Sequence, residues 1–535
     1  MAFGCGGDDV AADPQGTVGG TAASAETAAE SGGRGTTGSS SGAIEDGVDA
    51  STGAPLPALA AGIQIDFVEA NQGVGVRIGE DGGAVLGADR TSALLANRVL
   101  LVRALWTLAD DWEPREIEAV LTLHHADGET EELSDRKLVD GPAFLGSLGR
   151  AFFWGIEAEK SQPGLEYSVA LYEVDVSADE APVPDPPPLL PADGSLAPVG
   201  VEDSYQLMKI VLVPFHYDDG GACVTTPDTS EATMQLFHDL MFMMNPLDRL
   251  DIEMHEPVEW DQPLEDFNEL NTLMAGMRED EGALPEVYYY GLVDVCAGEL
   301  GGFGGYAYGI PDDPVNPDNA WQRVSSGLSL RSNPEFSAET FVHEVGHCQG
   351  RRHVTCTGDE AGPDVSYPIP GGDVGEWGFG VVDFLLRHPT ATKDYMTYCH
   401  PVWASTYGWN KTFPVIQGLS EWDADFPGAP GGGSPATSGE TLLVGVILPS
   451  GRETWTTVRG AMPTTGLRST RLEFEHTMGT TMVEGRVQAL PDSAAVRIVA
   501  PLPVALSEVS AVWRADLGQR TAVDRAAIAE PGARG

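Results

Sequence analysis

Three histidines and one glutamate lie within eleven residues, at a spacing that suits a metal site. His343 and His347 are four residues apart, so on a helix both imidazoles lie on one side and can bind one ion. Glu344 is adjacent, within reach of a water molecule at that ion. Gly350 tolerates a positive φ and can end the helix in a sharp turn, which brings His353 back to the same point. Three imidazoles that leave one position open are typical of a catalytic zinc site.

A helix must carry the first two histidines, and the sequence predicts one from about Glu335 to Gln349. Strand and helix patterns alternate between residues 204 and 428. The predicted strands are Met208–Val213, Leu250–Met254, Val287–Val293 and a Gly-rich segment, Gly304–Gly309; the other predicted helices are Thr229–Met244 and Pro263–Arg278. This order predicts a twisted mixed sheet with helices packed on it.

The pattern H-E-x-x-H-x-x-G-x-x-H of residues 343–353 resembles the signature of the metzincin metallopeptidases. Metzincins carry a methionine-containing turn after this motif, and Met396 looks like that methionine. A buried core methionine is the alternative interpretation when Met396 is taken by itself. Tyr398 matches the tyrosine that approaches the metal in some metzincins. The resemblance gives Tyr398 a role in stabilising an oxyanion, and packing is an equal alternative.

The resemblance also implies a substrate site, an activity and a fold. Gly304, Gly305, Tyr306 and Ala307 match the sheet edge that pairs with an extended substrate in metzincins. The implied activity is that of a zinc metalloendopeptidase acting on extracellular proteins or glycoproteins, with Glu344 as general base. The predicted fold class is multidomain: an α+β metzincin-like catalytic domain, with a mixed twisted sheet plus helices, flanked by β-sandwich-like domains.

Two alternatives belong to other functional classes. In the first, the chain is a non-enzymatic surface lipoprotein that binds protein or glycan, and zinc only stabilises its core. Glu344 argues against this alternative, because a structural site needs no base and usually fills its fourth position with protein. In the second, the chain is a metal-dependent hydrolase of non-peptide bonds.

Composition divides the chain into five segments. They are a low-complexity tether over residues 1–57, a β-sandwich-like domain over 58–178, a Pro-rich linker over 179–203, the zinc peptidase domain over 204–428, and a β-rich domain over 436–535. The tether has almost no large apolar side chains and cannot bury a core, so we expect it to be disordered.

The charge of the chain excludes one class of partner. There are 81 acidic and 30 basic residues, giving a net charge of −51. Such a chain repels phosphates, so we expect no nucleic-acid partner. No apolar segment approaches the roughly 18 residues that span a bilayer, so membrane attachment is expected only through a lipid.

The cysteines predict an extracytoplasmic location. Cys5 follows Ala-Phe-Gly, which resembles the end of a bacterial lipoprotein signal, so Cys5 is a candidate lipidation site; a chance match in a Gly-rich stretch is the alternative. The protein is then a cell-surface or outer-membrane lipoprotein, or otherwise secreted. Cys223 and Cys296 are expected to pair, and two of the remaining three (Cys348, Cys356 and Cys399) to form a second disulfide.

The insert between the third histidine and the methionine is acidic and rich in Gly and Pro. Its carboxylates belong to Asp359, Glu360, Asp364, Asp373 and Glu376. Oxygen ligands of this kind suit calcium, which is a second candidate cofactor. A solvated loop is the other interpretation, because no EF-hand spacing is present.

Overall fold

The structure is a computed structural model that describes residues 57–179, 181–296, 300, 302–358, 360–423, 433–464, 468–490, 493–516, 519–525 and 528. Residues 55–535 form one compact unit. Cys5 and the predicted tether, except for its last residue, lie outside the described residues.

The first part of the compact unit contains two large sheets around one core. Its strands are β1 (Pro57–Leu59), β2 (Ile63–Asn71), β3 (Gly75–Glu80), β4 (Gly83–Ala84), β5 (Leu94–Leu95), β6 (Leu100–Leu108), β7 (Arg115–His124), β8 (Thr130–Val139), β9 (Phe152–Ile156), β10 (Glu166–Ser177), β11 (Leu189–Leu190), β12 (Ala197–Pro198) and β13 (Val201–Glu202). One large sheet has the order β1-β10-β7-β8, with β11 and β12 also paired to β10, and the other has the order β4-β3-β2-β6-β9. Strands β5 and β13 form a separate parallel pair. Their alternating apolar side chains pack together, as period-2 patterns require.

The middle of the chain contains the α-helices. Its strands are β14 (Leu207–Asp218), β15 (Val224–Thr225), β16 (Arg249–Met254), β17 (Val258–Trp260), β18 (Tyr288–Val293), β19 (Gly305–Ala307), β20 (Val324–Leu328), β21 (Gly378–Phe379), β22 (Leu386–Arg387), β23 (Lys393–Asp394) and β24 (Val402–Trp403). Its helices are α1 (Glu231–Met244), α2 (Phe267–Asp280), α3 (Pro334–Cys348) and α4 (Thr406–Ser420).

Seven of the middle strands form a mixed sheet whose last strand is β19, and β21-β22 and β23-β24 are separate pairs. The order is β15-β14-β18-β20-β19, with β16 and β17 also paired to β14. Strands β16, β18 and β20 run parallel to their neighbours, whereas β19 is antiparallel to β20. Apolar side chains of α1, α3 and α4 pack on one face of this sheet, and those of α2 pack on the other. The helix with the histidines therefore lies beside the sheet edge formed by β19.

Local sequence explains where these helices begin. The Asp266 side chain accepts the Asn268 backbone N–H, and Glu269 accepts that of Asp266, so α2 starts with a capping box. Helix α3 starts with Asn333 as its N-cap, whose side chain accepts the Phe336 N–H, and continues with a proline at the first helical position.

The last part of the chain is one antiparallel sheet packed on α2. Its strands are β25 (Glu440–Ile447), β26 (Glu453–Gly460), β27 (Arg468–His476), β28 (Gly479–Ala489), β29 (Val496–Pro501), β30 (Val509–Asp516) and β31 (Gln519–Val523), in the order β26-β25-β29-β28-β27-β30-β31. One face of β25, with Leu442, Val444 and Val446, shares a core with α2. Short 3-10 helices complete the structure, at Gly87–Asp89, Leu148–Arg150, Ala158–Lys160, Pro317–Gln322, Pro370–Gly372 and Leu506–Glu508.

The predicted fold class is wrong. Strands make up 40% of the described residues and helices 18%, in several sheets rather than an α+β metzincin-like core between two β-sandwich-like domains. One cause is that long strands with mainly polar sequences, such as β8 and β28, give no hydrophobic run to recognise. Another is that α2 lies between the mixed sheet and the last sheet, so the middle of the chain shares one hydrophobic core with the last sheet. The predicted domain boundaries stay a prediction.

Two disulfides form in the described part of the chain. Cys223 pairs with Cys296, as predicted, and Cys356 pairs with Cys399. Cys348 is a buried free thiol, and burial raises its pKa to about 12. Disulfides persist in oxidising compartments, so they indicate an extracytoplasmic protein. Of the helices that the structure describes, none has the length and apolar character needed to cross a bilayer.

Candidate metal centre

The end of α3 places the three histidines together. His343 and His347 lie on one side of the helix, one turn apart. After the helix, the Gly350 N–H bonds to the His347 carbonyl and the Arg351 N–H to the Gly346 carbonyl, which is a Schellman motif. Gly350 has a φ of +83°, as this motif requires. The reversal of the chain brings His353 back to the other two histidines.

Each imidazole is oriented by a backbone carbonyl. The Nδ1 atom of His343 lies 2.8 Å from the Tyr395 oxygen, and that of His347 lies 2.8 Å from the Arg351 oxygen. The Nδ1 atom of His353 lies 2.7 Å from the Ala361 oxygen. A carbonyl can only accept, so in each ring Nδ1 carries the proton and Nε2 carries a lone pair. This arrangement fixes the tautomer that binds a metal through Nε2.

The three rings offer ligand atoms that lie within 4.8 Å of one another. The Nε2 atoms of His347 and His353 are 3.0 Å apart. Both nitrogens carry lone pairs that repel each other at this distance, and a cation bound between them would attract both. The three side chains are buried. Burial is the main cause, and the neighbouring His353 the second, that lowers the pKa of His343 to about 3. The same causes hold the pKa of His347 well below its ordinary value. Neutral imidazoles are the form that ligates metals, so this group could hold a metal ion.

A buried ion pair joins the end of α3 to the segment that contains Met396. Arg351 Nη2 lies 3.0 Å from one oxygen of Asp394, and both side chains are almost fully buried. Asp394 also accepts the Met396 N–H at 2.9 Å and the hydroxyl of Ser405. Burial opposes the charge of Arg351, but Asp394 and then Tyr395 raise its pKa above the ordinary value. Two of the carbonyls that orient the histidines belong to Arg351 and Tyr395, so this ion pair positions both.

Met396 lies beneath the histidines. It is fully buried, and a Cβ at Gly346 would lie 2.7 Å from its sulfur, so the thioether packs directly on α3 between the first two histidines. The Met396 carbonyl accepts the N–H of Val354, the residue after His353. The turn that the sequence singled out is therefore adjacent to the site.

Glu344 and Tyr398 both lie at the histidines. Glu344 is buried on α3 and lines the same cleft as His343 and His353. The Tyr398 hydroxyl lies 3.0 Å from Nε2 of His353, and 43% of the residue is exposed. Tyr398 therefore faces the cleft rather than a packed core, which leaves its hydroxyl close to the position of a metal.

Glycines let the sheet edge approach α3 closely beside the cleft. Gly304 and Gly305 line it opposite the helix. A Cβ at Gly305 would lie 2.8 Å from Thr340 and 3.0 Å from the Glu344 side chain. The remaining two residues of the predicted substrate edge, Tyr306 and Ala307, continue along β19 away from the cleft.

A turn clamped by Glu360 supports the third histidine, and sequence reasoning missed this role. The Glu360 carboxylate accepts the backbone N–H groups of Cys356, Thr357 and Gly358 at 2.8–2.9 Å. The next residue supplies the carbonyl that orients His353. The Cys356–Cys399 disulfide ties this turn to the residue after Tyr398. The regular spacing of N–H donors around one carboxylate is not visible in a sequence.

Two other acidic residues of the insert have individual partners. Asp364 accepts from Lys411 and Tyr407, and Asp373 pairs with Lys393. Asp359 lies outside the described residues. Among the described residues, three or more side chains that could hold a metal ion come together at the histidine triad. The calcium site stays a prediction.

Comparison with known proteins gives no family, since no family model and no curated protein matches the chain. The functional assignment therefore rests on the site itself.

Proposed function

We propose that the chain is a zinc-dependent endopeptidase with a metzincin-type motif, acting on extracellular proteins or glycoproteins. The observation that carries the proposal is the convergence of three Nε2 atoms beside a buried glutamate in an open cleft. Three imidazole ligands with one open position suit zinc in a hydrolytic site better than calcium or magnesium, which prefer oxygen ligands. His343, His347 and His353 would hold the ion.

Zinc held by these three histidines would lower the pKa of a water ligand to about 7 and polarise a carbonyl group. Glu344 lies one residue from the first ligand and is the group that accepts the proton of the attacking water. It then delivers this proton to the leaving amine, so it acts first as a base and then as an acid. The buried position of Glu344 supports this role, because few water molecules compete for its carboxylate.

Tyr398 and the sheet edge complete the proposed site. The Tyr398 hydroxyl, close to Nε2 of His353, is positioned to donate a hydrogen bond to the oxyanion that forms from the substrate carbonyl. The β19 edge beside Gly305 is positioned to bind an extended peptide by strand addition. An edge strand recognises the peptide backbone, which favours a peptidase over a hydrolase of other bonds.

The proposed location follows from the disulfides together with the sequence around Cys5. Two disulfides support an extracytoplasmic protein. Lipidation at Cys5 would tether it to a membrane surface, and otherwise the protein would be secreted. Mass spectrometry of the protein from its native membrane fraction tests this: a diacylglycerol adduct on the N-terminal peptide supports lipidation, and an unmodified Cys5 contradicts it.

The proposed activity is tested by Glu344→Gln in the full-length chain. We expect the variant to bind one zinc ion per chain, as the parent does, and to lose cleavage of a denatured protein mixture by at least about 100-fold. Glu335→Gln, on the exposed first turn of the same helix, is the matched control and should cleave like the parent. Cleavage by Glu344→Gln at the parental rate would refute the assignment of Glu344 as general base. Zinc binding without cleavage by the parent would favour the binding-protein alternative.

A further inference from the structure

The outer side of β19 carries backbone groups that face away from the sheet. The Gly304 carbonyl accepts from Leu328, and the Tyr308 N–H donates to Val324. Hydrogen-bonding positions alternate along an antiparallel strand, so Gly304, Tyr306 and Tyr308 bond towards β20, and Gly305 and Ala307 point outwards. A peptide added to this edge therefore meets N–H and C=O groups in register.

Side chains of such a peptide alternate between the two faces of the sheet. On one face lies α3, since Gly305 approaches Thr340 and Glu344. On the other lies α2, since the Tyr306 ring packs edge-on against Phe267 with centroids 5.6 Å apart. Every second side chain of the peptide thus points to the α2 face rather than to the histidines.

The α2 face contains a hollow at this place, which we call the outer hollow. Its walls are Phe303 and Tyr306 from the β19 segment, Leu448 and Pro449 from the turn after β25, and Ala494 from the turn before β29. Phe303 also lines the cleft of the histidines, so the two depressions meet at its exposed ring. The last sheet therefore supplies one wall of a hollow that lies next to the cleft of the histidines.

The rim of the outer hollow is acidic. Glu265 and Asp266 line it, and Glu269 lies just behind them on α2. Arg452 is the cation nearest to these carboxylates among the described residues, with its guanidinium 3.7 Å from Glu265 and bonded to Glu269. Asp266 also accepts the Ser493 hydroxyl. Arg452 bonds to the buried Glu269 and approaches Glu265, so the carboxylates at the rim outnumber the guanidinium near them and leave a net negative charge beside the hollow.

We infer that the outer hollow is a second substrate subsite, which binds a lysine or arginine side chain of the polypeptide lying on β19. The inference rests on the proposed function, because it takes the substrate to be an extended polypeptide. A hollow with apolar side chains in its wall and carboxylates at its rim fits the long methylene stem and the terminal charge of a basic side chain. The last sheet then selects substrates as well as packing on α2.

Two surface substitutions test the subsite. Ala494→Trp fills the hollow, and Glu265→Gln removes a rim charge from an exposed side chain. Met478→Trp places the same bulk at the exposed turn between β27 and β28, at the opposite end of the last sheet, and is the matched control. Equal thermal unfolding temperatures establish that the variants are folded.

The first readout is the set of cleavage sites in a denatured protein mixture. In the parent and in Met478→Trp, lysine and arginine should be enriched at one fixed position relative to the cleaved bond. That enrichment should disappear in Ala494→Trp and weaken in Glu265→Gln. An enrichment that survives Ala494→Trp, or its absence from the parent, overturns the inference.

The second readout does not depend on turnover. Fluorescent peptides that carry lysine or norleucine at the selected position are titrated into zinc-loaded Glu344→Gln, with and without the hollow substitutions. If the parent does not cleave, so that no cleavage sites can be read, a peptide library with lysine scanned through every position is used instead. The lysine peptide should bind about threefold to tenfold more weakly after Glu265→Gln, as expected for one partly exposed charged contact. The norleucine peptide should be unaffected. Equal affinities for both peptides overturn the inferred subsite even if the parent cleaves. If the parent does not cleave but still prefers the lysine peptide, only the proposed peptidase activity is overturned.

Discussion

Asp394 connects the carbonyls that orient two of the three histidines, and Asp394→Asn tests this connection. The substitution keeps the shape of the side chain and removes its charge, which leaves Arg351 buried without a counter-ion. Breaking a buried ion pair by changing one partner costs about 3–5 kcal/mol of unfolding free energy. Loss of a group that orients metal ligands typically weakens metal binding about 10–100-fold. Both effects are expected here, because the same ion pair supports the fold and the ligands.

The assay compares Asp394→Asn with Asp251→Asn in denaturant unfolding and in competition with a zinc chelator. Asp251 pairs with Arg249 at 2.9 Å, but both side chains are largely exposed. Removing that surface pair should cost no more than about 1 kcal/mol and leave zinc affinity unchanged. If Asp394→Asn unfolds like Asp251→Asn and holds zinc as tightly, the account of how the histidines are positioned is refuted.

Two further predictions concern residues around the third histidine. Tyr398→Phe removes a hydroxyl close to Nε2 of His353, so we expect zinc binding to persist and kcat to fall about 100–1,000-fold with little change in KM; equal kcat values in steady-state kinetics would assign Tyr398 to packing. Burial tends to raise the pKa of Glu360, but backbone N–H groups, chiefly those of Thr357 and Cys356, outweigh it and lower this pKa to about 2. A lowered folded-state pKa gives stability that is present above about pH 4.5 and is lost as the pH falls towards 2. The difference in unfolding free energy between the metal-free parent and Glu360→Gln should therefore shrink over that range, and a difference that grows on acidification would contradict the clamp.

The sequence was sufficient to identify the histidine triad because all the residues that determine it lie in one short segment. The i, i+4 spacing on a helix and the glycine at the reversal are properties of one short segment, and the structure places His343, His347 and His353 together. The pairing of Cys223 with Cys296 was also predicted, whereas the choice of Cys356 as the partner of Cys399 was left open. That choice depends on the turn clamped by Glu360, which forms only in the folded chain.

Features that depend on tertiary packing were not predicted. The pairing of Arg351 with Asp394 joins residues 43 apart, and nothing in either segment alone indicates it. Helix α4 was missed because Pro414 interrupts its pattern, although Ser405 caps it. The fold class was wrong for the same kind of reason, since polar strands such as β28 become strands through their neighbours rather than through their own sequence.

The most direct test of the proposed site is a titration of the metal-free, full-length chain with zinc, with bound metal and cleavage of a denatured protein substrate measured in the same samples. The three-histidine site predicts that cleavage rises in proportion to bound zinc and stops at one ion per chain, and that His347→Ala neither binds nor cleaves. Cleavage that is independent of zinc, or tight zinc binding that survives His347→Ala, would contradict a zinc peptidase centred on His343, His347 and His353.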